Sequence, residues 1–236
     1  MNIINGKLRK PMVILLIMTL LLTSGAFATA CSDDSNAQRV DIVFDDVSPD
    51  DWFYRYVEIG LRFGIVQGAI GNGLLWLEPN RRVTRLEFIT MLGRLHEYGD
   101  ETFGTLDEEA FYERYFDWAV ENGLIQGNEH GDLMPNAYIT REQVAVIINR
   151  YITAFELWSY FDYAVPVVAM SFLDEDTSDW ARGSIEMLRV HHIAFGEYGH
   201  IFRSNDLTIH AEALQMLARI GSAIYDLRHP LWTRVR

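Results

Sequence analysis

The strongest constraint on the fold is an internal repeat, because one set of short motifs occurs three times along the chain in the same order. Copy one contains FDDV at 44–47, GIVQG at 64–68, TRLE at 84–87 and MLGR at 91–94. Copy two contains GLIQG at 123–127, TREQ at 140–143 and NR at 149–150. Copy three contains FLD at 172–174, IAFG at 193–196, IHAE at 209–212 and MLAR at 216–219. A chain of this kind is expected to fold as repeated supersecondary units.

The first half of each copy is predicted to be a helix. In copy one Trp52, Tyr56, Ile59 and Phe63 recur at intervals of three or four residues, which places them on one face of a helix. Gly64 follows directly and suits a C-terminal cap, where the chain enters the left-handed region. The pattern therefore predicts a helix that ends near residue 63.

The second half of each copy begins with a capping signal. Thr84 followed three residues later by Glu87 forms a capping box, and Thr140 with Gln143 repeats it in copy two. In copy three Thr208 stands one position too early for the same role. The apolar positions that follow in copy one predict a buried face: Phe88, Leu92 and Leu95.

One helix pair cannot bury its apolar face alone, whereas three pairs can share a core. The sequence therefore predicts an all-α fold of three helix-loop-helix copies, preceded by an export signal. The predicted segments are a signal peptide at 1–30, a polar tether at 31–40, copies at 41–98, 101–155 and 171–225, a connection at 156–170 and a tail at 226–236. We expect the aromatic residues of the connection to pack on the bundle.

The first thirty residues have the layout of a secretory signal peptide. Lys7, Arg9 and Lys10 precede a short apolar region at 12–22, and two A-x-A motifs within 26–30 offer cleavage sites. The alternative is an uncleaved membrane anchor, but the apolar region is nearer the length of a signal sequence. The sequence therefore predicts an exported protein of the cell wall or cell surface.

Cys31 directly follows this segment and is the only cysteine of the chain. A lone cysteine in an exported chain cannot form an internal disulfide bond. Lipoprotein processing is one explanation, and it would attach the chain to a membrane through Cys31. Such signals usually carry leucine three positions earlier, where this chain has Ala28.

The copies resemble the S-layer homology (SLH) family, whose marks are F-x-D-V before a tryptophan, G-I-[IV]-x-G and a T-R-A-E-like helix start. Copy one has all of them. The resemblance implies a pseudo-threefold bundle that binds secondary cell-wall polymers, often pyruvylated, in grooves between repeats. It also implies ligand contacts from equivalent positions of the copies: Asp46, Trp52, Gly68, Arg85, Glu87, Phe111, Gly127, Arg141, Asp174, Trp180 and Gly196.

Two copies depart from the family pattern. Copy two has Thr105 for the aspartate, Phe111 for the tryptophan and Gln143 for the glutamate. Copy three has His192 for the first loop glycine, Ser204 for the proline and His210 for the arginine. We therefore expect copy one to be the best binding unit. A groove that relies on His210 should be weak or pH-dependent, because histidine is cationic only toward acidic pH.

Arg85 and Arg141 are the candidate anion-binding residues. Each stands in the first turn of a predicted second helix, where free backbone N–H groups and a guanidinium can converge on a carboxylate. A ketal pyruvate is a suitable guest, and Trp52 could stack on a sugar face. The alternatives are a surface ion pair for Arg85, core packing for Trp52 and Trp180, and tight turns for Gly68 and Gly127.

The formal net charge of −13 argues against a nucleic-acid partner. The favoured partner is a cell-wall polysaccharide, bound without catalysis and without a metal or cofactor. Neighbouring His191 and His192 would point in different directions on a helix and make a poor metal pair. One alternative is a drifted SLH fold that recruits an envelope protein. Another is a wall-active glycan hydrolase, disfavoured because the acidic residues lie mostly at repeat-equivalent or surface positions.

Overall fold

A computed structural model of the chain describes residues 44–67, 69–71, 74–98, 108–128, 130–161, 172, 174, 176–196 and 201–225. The predicted signal peptide, tether and tail lie outside these ranges, as do Gly68 and Thr105. All described residues belong to the unit formed by residues 40–236. No helix in these ranges has the length and hydropathy of a membrane span.

The described residues contain six α-helices, which we group as three consecutive pairs along the chain. The first pair is α1 (Tyr54–Arg62) and α2 (Arg85–His96), the second is α3 (Glu108–Glu121) and α4 (Arg141–Ala154), and the third is α5 (Asp179–Val190) and α6 (His210–Tyr225). A 3-10 helix, Leu157–Tyr160, follows α4. The prediction of an all-α fold is confirmed. In the connection, Phe161 is buried and Trp158 packs against the core, while Pro166 lies outside the described residues.

The loop of the first pair contains a short hairpin that the sequence analysis did not predict. Strand β1 (Ala69–Gly71) pairs antiparallel with β2 (Leu74–Trp76), and Ala69 lies opposite Trp76. The two positions between the strands hold Asn72-Gly73, a dipeptide that favours tight hairpin turns. Its six paired residues add a local feature to an otherwise helical fold.

The predicted capping boxes are present in the first two pairs. The Thr84 hydroxyl accepts from the Glu87 backbone N–H at 3.2 Å, and the Glu87 carboxylate accepts from the Thr84 N–H at 2.8 Å. Thr140 and Gln143 form the same reciprocal pair. In the third pair the Ile209 N–H donates to Glu212 at 3.2 Å. The capping position there is Ile209, so only half of the box remains.

The first helix of each pair ends in the same backbone conformation. Gly64, Gly123 and His192 have φ values of 67°, 68° and 57°. This left-handed conformation is favourable for glycine and costs a β-carbon-bearing residue about 1 kcal/mol or more. The equivalence of His192 with the two glycines, inferred from the sequence, therefore extends to the backbone, although His192 adopts this conformation at a cost.

The pairs interlock, because the first helix of each pair packs against the second helix of the pair before it. Helix α3 packs on α2 and α5 packs on α4, while α1 packs on α6 and so joins the two ends of the described bundle. The core between them is apolar and includes the fully buried Phe88, Leu92 and Leu95. The buried face predicted for α2 is thus confirmed.

A ring of three backbone hydrogen bonds lies where the pairs meet. The N–H of Val83 donates to Thr208 at 3.0 Å, that of Thr208 to Ile139 at 2.9 Å, and that of Ile139 to Val83 at 3.0 Å. All three residues are buried. Each residue belongs to the loop before a second helix, so the ring ties the three pairs together in cyclic order.

Gly93 allows α2 and α3 to approach closely, and its replacement by alanine should destabilise the fold. A β-carbon at Gly93 would lie 2.1 Å from Cδ1 of the buried Tyr115 ring. We expect Gly93→Ala to lower the free energy of unfolding by about 1–3 kcal/mol, measured by urea denaturation. Gly183→Ala in α5 is the control, since a β-carbon there meets open space and should stabilise by about 0.4–1 kcal/mol. Equal shifts for the two variants would contradict this packing.

Candidate functional site

The aspartates of the first and third pairs bind the loop that precedes the second helix. Asp46 accepts from the backbone N–H groups of Leu77 and Glu78 at 2.8 and 2.7 Å. Asp174 accepts from Phe202 and Arg203 at 2.6 and 2.5 Å. Both oxygens of each carboxylate are therefore engaged in holding the loop. A ligand contact by Asp46 or Asp174 stays a prediction.

Two of the predicted glycines permit close backbone approach within a loop. A β-carbon at Gly127 would lie 2.4 Å from the carbonyl carbon and oxygen of Gly131, and one at Gly196 would lie 2.5 Å from the Ile201 oxygen. Neither position has room for a side chain. Both glycines therefore set the shape of their loop, and a ligand contact by either stays a prediction. Gly68 lies outside the described residues.

The residue that opens each second helix reaches into the following pair. Arg85 Nε donates to the Leu133 carbonyl at 2.9 Å, and Arg141 Nε donates to Phe202 at 2.7 Å. Nδ1 of His210 lies 2.7 Å from the Leu77 carbonyl, which fits a protonated Nδ1 that donates to it. Arg85, Arg141 and His210, which were predicted to be equivalent, therefore occupy equivalent places in the structure. Each of these side chains crosses one interface between pairs.

We name the three interfaces by these residues. Arg85 marks the first interface, between the first and second pairs, and Arg141 marks the second, between the second and third pairs. His210 marks the third interface, which returns from the third pair to the first. Burial is the largest influence on all three side chains and lowers the pKa of each. For His210 this favours the neutral imidazole.

The two predicted tryptophans are exposed. The exposed fraction is 55% for Trp52 and 58% for Trp180, which rules out the alternative that they serve as core residues. Trp52 precedes α1 rather than lying within it, so it does not share the buried face of that helix. Phe111 lies in α3, and its side chain falls outside the described part of the chain.

A groove of about 370 Å³ opens at the first interface. Arg85 comes from the first pair, Gln143 and Arg150 from α4, and Trp180 from α5. Arg150 donates to the Leu124 carbonyl at 3.3 Å and to Oε1 of Gln126 at 3.4 Å. After burial, the positive charge of Arg150 is the next influence that lowers the pKa of Arg85. The groove thus combines two arginines with an exposed indole.

A smaller groove of about 230 Å³ opens at the third interface. Its charged lining is balanced, with Arg81 and Arg94 against Glu78 and Glu87, beside His210. Arg81 pairs with Glu78 at 3.0 Å and with Glu87 at 2.8 Å. Glu87 therefore caps α2 and also binds a neighbouring cation.

Arg150 is a groove residue that the sequence analysis did not select. Arg94, Arg150 and Arg219 recur at equivalent places in the three copies. Each contacts the loop after the first helix of its own pair, through Gln67, Gln126 and the Ile193 carbonyl respectively. The recurrence of this arginine in all three copies is the sequence signal that could have identified Arg150 as a site residue. The helix-opening arginine, by contrast, is present in only two copies.

The sequence profile of the S-layer homology domain matches residues 43–89 and 98–145. The chain contains two S-layer homology domains. Each match covers the first helix of one of the first two pairs and the beginning of its second helix, including the capping box and the helix-opening arginine. Domains of this family are non-catalytic modules that bind cell-wall polysaccharides, and they associate proteins with the cell surface.

The chain is similar to proteins that contain S-layer homology domains. An amylopullulanase of Thermoanaerobacterium thermosulfurigenes is 30% identical over 77% of this chain. Exoglucanase XynX of Acetivibrio thermocellus is 28% identical over 78% of it, and the surface-layer 125 kDa protein of Lysinibacillus sphaericus is 30% identical over 62%. The chain spans only 10–16% of the length of these relatives. The similarity therefore concerns the shared domains, and the relatives' activities belong to those proteins.

Proposed function

We propose that this chain is a non-catalytic protein of the cell envelope that binds a pyruvylated secondary cell-wall polysaccharide. The observation that carries the proposal is the groove of the first interface, where Arg85, Arg150 and Trp180 meet. The groove lies beside the first turn of a helix that belongs to a matched S-layer homology domain. Its volume of about 370 Å³ falls within the usual range of small-ligand sites.

The chemistry of the groove suits a sugar that carries a carboxylate. Guanidinium groups bind carboxylates through two parallel N–H donors, and partial burial strengthens that contact. Arg85 Nε already donates to the Leu133 carbonyl, and its Nη2 donates to the backbone carbonyl of Gln126 at 3.4 Å, a long contact. The exposed face of Trp180 is available to cover an apolar sugar face.

The net charge of −13 bears on how such a polymer would be held. An acidic protein repels an anionic polymer at long range, so attraction must arise from local arginine pockets. Interactions in a partly buried groove are screened by salt less than those between exposed charges. Binding should therefore survive moderate ionic strength.

We further infer that residues 171–225 form a third repeat of the same type. Three observations support it: the left-handed His192, the cross-interface contact of His210, and the ring of Val83, Ile139 and Thr208. The similarity to the amylopullulanase also extends over 77% of the chain. Export through residues 1–30 and lipid attachment at Cys31 remain predictions on residues outside the described ranges.

Sedimentation with purified, protein-free cell walls tests the proposed function. We expect the chain to pellet with walls that carry the pyruvylated polymer, and to pellet at least about tenfold less with walls from which pyruvate has been removed. Protein-free walls separate this outcome from recruitment by an envelope protein. A chain that stays in solution with intact walls would contradict wall binding, and equal pelleting with both walls would contradict recognition of pyruvate.

A further inference from the structure

The start of α5 is held by a side chain of another helix. Ser178 is the capping residue of α5, and a serine in that position usually accepts from an N–H group of its own helix. Here the Ser178 side chain makes no such bond. Its hydroxyl donates to Oε1 of Glu142 at 3.0 Å, and its backbone N–H donates to Oε2 at 3.1 Å. Both oxygens of one carboxylate from α4 therefore hold the residue at which α5 begins.

Glu142 is firmly held in turn. Its exposed fraction is 5%, and its backbone N–H donates to the Ser204 carbonyl at 3.0 Å. A buried carboxylate is costly unless it is compensated, and here it receives two hydrogen bonds and the positive ends of α4 and α5. The hydroxyls of Thr177 and Ser204, 2.5 Å apart, add a second bond across the same contact. The first turn of α5 is thus fixed to the start of α4 at two adjacent points.

The first turn of α5 carries Trp180, two residues after Ser178. Because the indole is 58% exposed, its own packing contributes little to its orientation, which depends on the backbone that carries it. Trp180 lines the groove of the first interface together with Arg85 and Gln143. Consecutive residues of α4 therefore have separate tasks: Gln143 lines the groove, while Glu142 holds the helix that brings the indole to it.

We propose that Glu142 is a positioning residue, which fixes the first turn of α5 and thereby holds the indole of Trp180 at the groove. Glu142 is not among the described residues that line the groove, so it acts through Trp180. The inference rests on the proposed function and extends it to a residue outside the ligand contacts. The equivalent residues of α2 and α6 are Leu86 and Ala211, so comparison of the copies gives no sign of this role.

Glu142→Ala tests the inference, since alanine is the residue that α6 carries at the equivalent place. Pelleting isotherms with walls that carry the pyruvylated polymer should show binding weakened by about fivefold, the usual effect of losing a helix cap. The loss should be smaller than that of Trp180→Ala, because the indole remains but is held less firmly.

The double variant separates positioning from a general structural effect. In a chain that already carries Trp180→Ala, the further change Glu142→Ala should alter binding by less than about twofold, because no indole is left to position. A fivefold loss in that background as well would show that Glu142 acts by another route and would overturn the inference.

Glu142→Gln is the conservative variant. Its carbonyl oxygen can accept from the Ser178 N–H and its amide can donate to the hydroxyl, so binding should be retained within about twofold. Gly93→Ala controls for lost stability, since it loosens the packing of α2 on α3 and should leave binding unchanged below its unfolding temperature.

Three results would overturn the inference while leaving wall binding intact: unweakened binding of Glu142→Ala, equal losses in Glu142→Ala and Glu142→Gln, or an equal loss in Gly93→Ala. Failure of the unchanged chain to pellet would instead refute the proposed function itself.

Discussion

Trp180→Ala should weaken binding to purified walls about 30-fold, while Trp52→Ala should leave it nearly unchanged. Removal of a central interfacial tryptophan typically costs about 2 kcal/mol of binding free energy, which corresponds to that factor. Trp180 lines the groove with Arg85 and Arg150, so its loss exposes one wall of the proposed site. Pelleting isotherms with a fixed amount of wall provide the measurement.

The two tryptophans form a matched comparison, because they hold equivalent places in the sequence pattern and are 55% and 58% exposed. Neither variant is expected to change the unfolding temperature appreciably, since exposed side chains contribute little to the core. Equal loss of binding in both variants would show that the site is not confined to the first interface. Unchanged binding by Trp180→Ala would show that the indole is not part of the binding site.

Arg141→Ala should lower the free energy of unfolding by about 3 kcal/mol, a large fraction of the stability of a domain of this size. The substitution removes donors to the Phe202 and Phe195 carbonyls and leaves Glu212 buried with Arg203 as its remaining cation. Burial of an incompletely paired carboxylate is the main cost. Urea denaturation followed by tryptophan fluorescence measures the change.

Arg81→Ala is the control for this prediction, because Arg81 also pairs with acidic residues but does so at the surface. Its side chain is 41% exposed, so its removal should cost less than about 1 kcal/mol. Arg141→Lys should fall between the two, since lysine keeps the charge but not the fork of donors. Similar losses in Arg141→Ala and Arg81→Ala would contradict a special role for the buried pair.

The fold was predictable because its local signals recur and agree. The capping box of Thr84 and Glu87 returns with Thr140 and Gln143, and Gly64 marks the end of a helix as expected. Local propensity and apolar spacing therefore indicate the same helices in each copy. The hairpin of β1 and β2 was not predicted, because a strand of three residues is too short to show a recognisable alternation of apolar and polar positions.

The site was only partly predictable, because it is built across copies rather than within one. Arg85, Arg150 and Trp180 come from three different helix pairs, and no spacing along the sequence shows that they meet. When the sequence is compared with the family one copy at a time, each copy is judged as a binding unit by its own resemblance to the family. The groove is lined by residues of all three pairs, so the effect of a departure such as Gln143 depends on Arg85 of the preceding pair.

The packing of α1 on α6 fixes how many grooves a chain of this kind can offer. An open stack of repeats gains a new contact surface with every repeat added. Here the last pair returns to the first, so the number of interfaces equals the number of pairs and cannot grow by extension. A chain that binds through the proposed groove of the first interface would depend on avidity among several chains on the same strand for firm attachment to a long polymer. Crowding at the envelope would then govern retention as strongly as the affinity of any single groove.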